Sequence, residues 1–344
     1  MTALGILWFF LIFLLIAGYF VLDGFDLGAG VLYPFIAKTD AEKELVRHSI
    51  GPVWDGNEVW LLTAGGALFA AFAPAYATTF SGFYLAIMLV LFGLILRGVS
   101  VEFASRDPEW AGIWNACFFI GSLLPALLFG VAVGNIYAGI PMDAAGNYSG
   151  IPLIGLITPF TLLCGLLGLA MFLAAGAAWI ALKAPMSSAL HDRASRMRFS
   201  CQVVVAVLFI ALSAYGHFLI QPDMVPELSA VRWACAILFV VALVASIALG
   251  RKGDRDLVAF IAQSVAAIAL VFLLASSMFP NLVVASAGSV GQSITIATAA
   301  SSDTALAWMT GIACIGVPIV LVYHIIVYRI FSGRLKLEGS TEAE

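Results

Sequence analysis

Charge is what this sequence has least of. Only 10% of its 344 residues are Asp, Glu, Lys or Arg, while 62% are hydrophobic and the mean hydropathy is +1.06. A water-soluble domain of this length could not cover its surface with so little charge. The five cysteines (Cys117, Cys164, Cys201, Cys235, Cys314) stand singly and form no C-x-x-C pair. That excludes a zinc ribbon and a disulfide framework, and leaves them as small packing residues inside apolar runs. No polar stretch is long enough for a soluble domain; the 279–304 segment reads as a surface loop without its own core. The first apolar run has no basic flank and no small-x-small cleavage site, so it reads as a retained span rather than a cleavable leader.

What is present, from end to end, is apolar runs long enough to cross a bilayer as helices. We place nine spans at about 4–34, 50–73, 77–97, 112–138, 153–182, 199–220, 231–250, 256–278 and 305–330, an all-α integral membrane protein. With the N-terminus outside, fifteen of the sixteen Lys and Arg residues fall on the inner side and only Arg232 falls outside. The positive-inside rule therefore predicts N-out and C-in. The expected organisation is one transmembrane domain, with helices 1–4 (about 1–140) and 5–8 (about 150–280) as two four-helix groups. The ninth helix, about 305–330, is expected at the periphery. The tail after Arg334 reads as polar and unstructured.

The few acids inside the spans are not scattered. Span one ends in GYFVLDGFDLGAG, where Asp23 and Asp26 are three residues apart and share a helix side. Gly24 and Gly28 form a G-x-x-x-G, with Gly18 and Gly30 extending a face along which a helix can pack closely. Span two opens with GPVWDGNEVW, where Asp55 and Glu58 repeat the three-residue spacing around Asn57. Span three closes with Arg97, and Glu102 follows a few residues beyond. The topology puts all six at one membrane level, in the inner leaflet. An ionised acid at mid-membrane costs about 2.5–3.5 kcal/mol, so such groups are paired, protonated or functional. Two readings stand: acids poised to take up and pass on protons, or an ion-pair network that locks three helices together.

Histidine is scarce too. A haem held within a bundle needs paired axial ligands facing across a plane. His217 lies near the outer end of span six beside Gln221, His324 near the inner end of span nine, and His48 and His191 in or beside inner loops. No ligand pair emerges.

The segments VLDGFDLGAG, GPVWDGNEVWLLTAGGALFAAFAP and FSGFYLAIMLVLFGLILRGVSVEF resemble, in that order, subunit II of the cytochrome bd-type ubiquinol oxidases. The likeness is dense from about 18 to 135 and looser afterwards. It implies a heterodimer in a bacterial inner membrane with a haem-carrying subunit I, often joined by small single-span subunits. Such a complex oxidises quinol, reduces oxygen to water and takes its protons from the cytosol. The resemblance implies that subunit I holds the two b-type haems and the d-type haem, and that this chain binds none and is not catalytic alone. It maps a proton path onto Asp23, Asp26, Asp55 and Arg97, with Glu58 and Glu102 where relatives carry other polar residues. The competing class is a proton-coupled secondary transporter. Such a protein would place its site near mid-membrane with access from both sides, whereas here the acids reach only the inner leaflet.

Overall fold

The computed structural model describes residues 1–220, 224–251 and 255–336. Gln221, Lys252 and the tail from 337 onward lie outside the described residues. The chain is a helical bundle in the order α1 (Ala3–Ile36), α2 (Asp40–Ile50), α3 (Trp54–Ala71), α4 (Ala73–Gly82), α5 (Tyr84–Phe103), α6 (Ala111–Ala138), α7 (Pro159–Lys183), α8 (Ala189–Tyr215), α9 (Ser229–Gly250), α10 (Asp256–Met278), α11 (Ile296–Ala299) and α12 (Asp303–Ile330). Among the described residues eight helices are long and apolar enough to cross a membrane. The ninth expected span, α3, is not among them. Its 18 residues reach about 27 Å, but Asp55, Asn57 and Glu58 make its first two turns polar.

Boundaries differ from the expected ones where the pattern was amphipathic rather than uniformly apolar. α5 runs on to Phe103, so Arg97 and Glu102 share one helix. α8 begins at Ala189, capped by Ser188, so Arg193, Arg196 and Arg198 lie on its first turns rather than in a loop. α7 starts at Pro159 behind Thr158, whose side chain and that of Thr161 cap each other's backbone. Pro at the first helical position costs no hydrogen bond there.

α1 occupies the middle of the bundle, against α3, α6, α7 and α10. Glycines let its neighbours approach. A Cβ on Gly28 would stand 1.8 Å from the Phe172 carbonyl oxygen, and one on Gly176 would stand 2.3 Å from the Ala29 nitrogen. The G-x-x-x-G face of α1 is therefore spent inside this chain, on α7, rather than left for a partner. α12 is the least enclosed helix; only Leu306 and His324 are buried along it.

At the end away from the basic residues, the 279–302 segment is not a bare surface loop. β1 (Asn281–Val283) pairs antiparallel with β2 (Ile294–Thr295), and Ala285 bridges Ile140. Leu282, Val283, Ile294 and Ile296 join Trp8, Phe9, Phe72 and Met142 in one apolar cluster. Gly139, at φ 95°, turns the chain out of α6 with its Cα against Ala285 and Ser286, where a side chain has neither room nor an unstrained backbone.

At the basic end α2 is tied down by its capping box. Glu42 accepts from the backbone N–H groups of Lys38 and Thr39 and pairs with Arg193 of α8 at 2.5 Å. Burial pushes the Glu42 carboxyl up, but the Lys38 N–H, the Arg193 guanidinium and the Thr39 N–H together hold it below the usual carboxylate range. Its contribution to stability is therefore full above the unfolded pKa of about 4.3 and is lost as pH falls through the lower folded value. Glu42→Gln is expected to lower thermal stability at neutral pH, with the gap to the parent closing as pH drops below about 4. A gap that stays constant over that range would show that the carboxylate contributes no linkage.

Candidate functional site

The geometry of the buried acids follows from how three helices are rotated. On α3 the inward stripe is Asn57, Leu61, Ala64, Leu68 and Ala71, and the outward stripe is Asp55, Val59, Leu62, Gly66 and Phe69. Glu58 lies between them, its side chain 25% exposed. On α5, Gly93, Arg97, Gly98 and Ser100 face inward. Gly121 of α6 seats that stretch, since a Cβ there would meet the Gly93 oxygen at 2.6 Å and the Arg97 nitrogen at 2.7 Å.

Arg97 is the centre. It is wholly buried, and its Nη2 lies 2.7 Å from Asp23 Oδ1 and donates to Glu58 Oε1 at 2.5 Å. The Asp23 contact is an ion pair without hydrogen-bond alignment, and both Asp23 oxygens, Arg97 Nε and Nη1, and the nearby Tyr19 hydroxyl lack a hydrogen-bond partner in the chain. Buried polar groups rarely go unpaired, and a site this polar suits bridging water. Asp26, one turn along α1, accepts at Oδ2 from Asn57 Nδ2 at 2.7 Å. The same amide nitrogen donates to the Leu22 carbonyl at 3.1 Å, and its carbonyl accepts from the Tyr328 hydroxyl of α12 at 3.0 Å.

Of the six residues expected at this level, the fold brings four together: Asp23, Asp26, Glu58 and Arg97. Asp55 stands outside, exposed in the first turn of α3, with its Oδ1 accepting from the Gly56 N–H. Glu102 is exposed and faces Arg106 at 3.7 Å. Glu102 lines a cavity of about 360 Å³ at the basic end together with Glu44, His48, Pro52 and Arg106 among others, and Pro52 precedes Asp55 by three residues in the chain.

Sequence reading missed two members of the cluster. Asn57 is uncharged and gives no sign of a role between its two acids, and Tyr328 lies in the last span with no local pattern that ties it to them. It also missed a second buried charge group. Asp256 of α10 accepts from Arg198 (3.1 Å) and Arg334 (2.9 Å) and contacts His191 Nε2 (2.9 Å), while Arg198 also caps Gly250 and Arg334 caps Ala181 and Ala184. The arginine arms of this group end on helix termini, and the group pins α7, α8, α9 and α10 at the basic end. Deeper in the same bundle, Gln202 donates to Ser246 and to Gln263. Counting basic residues as loop charges hid the first network, and uncharged glutamines gave no signal for the second.

The histidines do not fit haem ligation. His324 Nε2 accepts from Trp60 Nε1 at 3.3 Å and its Nδ1 donates to the Val320 carbonyl at 2.9 Å. His191 is committed to Asp256, while His48 and His217 sit at opposite ends of the bundle. Among the described residues no three of His, Cys, Asp and Glu are grouped to hold a metal ion.

The fold and this site define a polytopic helical membrane protein with an arginine-centred cluster of acids near its basic end. The chain belongs to the family of subunit II of the cytochrome bd terminal oxidase, whose family model matches residues 4–331. It is 34% identical to the probable cytochrome oxidase subunit 2 of Haemophilus influenzae, over 96% of this chain and 95% of that one. It is 33% identical to the cytochrome bd-I ubiquinol oxidase subunit 2 of Escherichia coli K12 (97% and 96% covered) and 32% to the cytochrome bd ubiquinol oxidase subunit 2 of Bacillus subtilis (97% and 98%). A chain from the structure of the bd oxidase of Geobacillus thermodenitrificans superposes with a TM-score of 0.73 over 96% of this chain and 99% of that chain. At 17% identity that match speaks for the fold alone. The family leaves the transporter reading without support.

Proposed function

We propose that this chain is the second subunit of a quinol oxidase complex of the bacterial inner membrane, oriented N-out and C-in. It supports a haem-carrying subunit I and supplies a cytosolic proton-uptake path. The observation that carries the path is the buried Arg97–Asp23–Glu58 cluster, which reaches the surface through the quarter-exposed side chain of Glu58 and lies on the side where the basic residues gather. Glu102 and the cavity beside Pro52 form the mouth, and Asp55 stands at the threshold of α3. Glu58, Asp23 and Asp26 continue inward, with Arg97 balancing their charge. Protons pass between carboxyl groups through bridging water, because the unpartnered oxygens of Asp23 and Asp26 are acceptors in want of donors. The purely structural reading of the cluster predicts the same ion pairs but no dependence of turnover on a titratable proton.

The partner docks on the outward stripe of α3. Val59, Leu62, Gly66 and Phe69 are exposed along this stripe, with Asp55 at its inner end. A Cβ on Gly66 would meet nothing within 4 Å in this chain, so the small residue leaves room for another helix. Small single-span subunits are expected at other lipid-facing helices.

The test is turnover of the purified complex. Asp55→Asn and Glu58→Gln keep shape and hydrogen bonding but remove the titratable proton. Each is expected to lower quinol oxidase turnover by about tenfold or more, a barrier change of roughly 1.4 kcal/mol, with haem content intact. Normal turnover in both would leave the cluster a structural lock.

A further inference from the structure

We infer that Tyr328 of α12 is a positioning residue for Asp26, acting through the side-chain amide of Asn57. This rests on the proton-path reading above. The chemistry of the neighbours fixes which way the Asn57 amide points. One end of it faces Asp26 Oδ2 at 2.7 Å and the Leu22 carbonyl at 3.1 Å, and a carbonyl can only accept. That end must be the NH2. The other end must then be the carbonyl, and it meets the Tyr328 hydroxyl at 3.0 Å, a group able to donate. Tyr328 therefore locks the amide so that its N–H is directed at the Asp26 carboxyl. Without the hydroxyl the amide carbonyl is left buried with no donor.

The placement of Tyr328 argues that the contact is built. α12 is otherwise the most exposed helix of the bundle, and it reaches the acid cluster only along one face. His324, one turn before, is held at both ring nitrogens by Trp60 and the Val320 carbonyl, which fixes it as the Nδ1–H tautomer. Its ring lies parallel to that of Tyr328, 6.3 Å away, and Tyr328 also packs edge-on against Phe25 and Trp179. Trp60 in turn lies over Gly18, where a Cβ would stand 2.3 Å from its ring. Tyr328 thus arrives at Asn57 from a rigid aromatic frame. The charged and titratable groups around Asp26 are Asp23 of α1, Glu58 of α3, Arg97 of α5 and Tyr328 itself. Of these, only Tyr328 is linked to Asp26 through the amide.

The experiment compares Tyr328→Phe, Asp26→Asn and the double variant in the intact complex with its haem subunit. Tyr328→Phe is expected to lower turnover about threefold to tenfold, the effect of one hydrogen bond, with complex yield and haem absorbance unchanged. In the Asp26→Asn background the same substitution is expected to change nothing further, because coupled residues are not additive. An additive loss, or no loss from Tyr328→Phe alone, overturns the inference. Infrared difference spectra supply a readout independent of rate. The carboxyl C=O band that Asp26→Asn abolishes is expected to move in Tyr328→Phe and in Asn57→Leu, and a band that stays put overturns the inference as well. Full turnover in Asp26→Asn alone would instead remove the proton-path reading and leave the infrared result to judge the hydrogen-bonded lock by itself.

Discussion

Arg97→Leu is expected to abolish accumulation of the assembled complex. The substitution leaves Asp23, wholly buried, and Glu58, three-quarters buried, facing each other without a cation. Breaking a buried ion pair from one side costs about 3–5 kcal/mol, which is a large share of the 5–15 kcal/mol that typically holds a domain folded. Arg97→Lys is expected to recover assembly only in part, since a lysine side chain ends one bond short of Nη2, the atom that meets both carboxylates. The informative variant removes the whole group. Arg97→Leu combined with Asp23→Leu and Glu58→Leu leaves no unpaired charge, and such replacements are often neutral or stabilising. Assembly should return in the triple variant while turnover stays low. Assembly with normal turnover would make the cluster a helix lock and nothing more. A single Arg97→Leu variant that assembles fully would show that the two acids are held neutral.

Gly28→Val is expected to be nearly as severe, by a route that involves no charge. At Gly28 the obstacle is backbone: the Phe172 carbonyl oxygen at 1.8 Å and its carbon at 2.5 Å from the position of a Cβ. No rotamer change relieves that, so α1 and α7 must separate. Overpacking costs typically 1–3 kcal/mol where side chains can shift, and this contact has no side chain to shift. Because α1 carries Asp23 and Asp26, the separation also opens the acid cluster. Thermal unfolding of the purified complex and its yield report the effect. Gly66→Val and Gly311→Val are the matching controls, since a Cβ at either meets nothing within 4 Å. Both should leave the fold of this chain intact. Loss of the partner subunit from Gly66→Val alone would place the interface on the outward stripe of α3, and its retention would remove that assignment.

The tertiary packing decided things that the helical period could not. Asp55 and Glu58, three residues apart, share one side of a helix by geometry alone. The rotation of α3 about its axis then turned Asn57 inward, set Glu58 at the boundary and left Asp55 outside. Rotation is chosen by what packs against the helix, here Trp60 over Gly18 and Asn57 against the Leu22 carbonyl. The G-x-x-x-G of α1 announced close packing but not its partner, which turned out to be Gly176 of the same chain. Tyr328 is about 270 residues from Asn57 in the chain, and no local pattern links them. The group around Asp256 likewise draws His191, Arg198 and Arg334 from separate elements.

The sequence by itself determined that the chain lies in a membrane, where its apolar helices run and which end gathers the basic residues, and it predicts one depth for Asp23, Asp26, Asp55, Glu58, Arg97 and Glu102. These follow from local quantities. The length of an apolar run is matched to the bilayer, charges cannot cross freely, and a helix in hydrocarbon must satisfy its own backbone. The weakest span, α3, fell short for the same reason that made it interesting, namely three polar residues in its first two turns. Depth along the membrane normal is thus legible residue by residue. Position around each helix is not, because it depends on side chains from elements far apart in the chain, and that is where the structure decided which acids meet Arg97 and which amide holds Asp26.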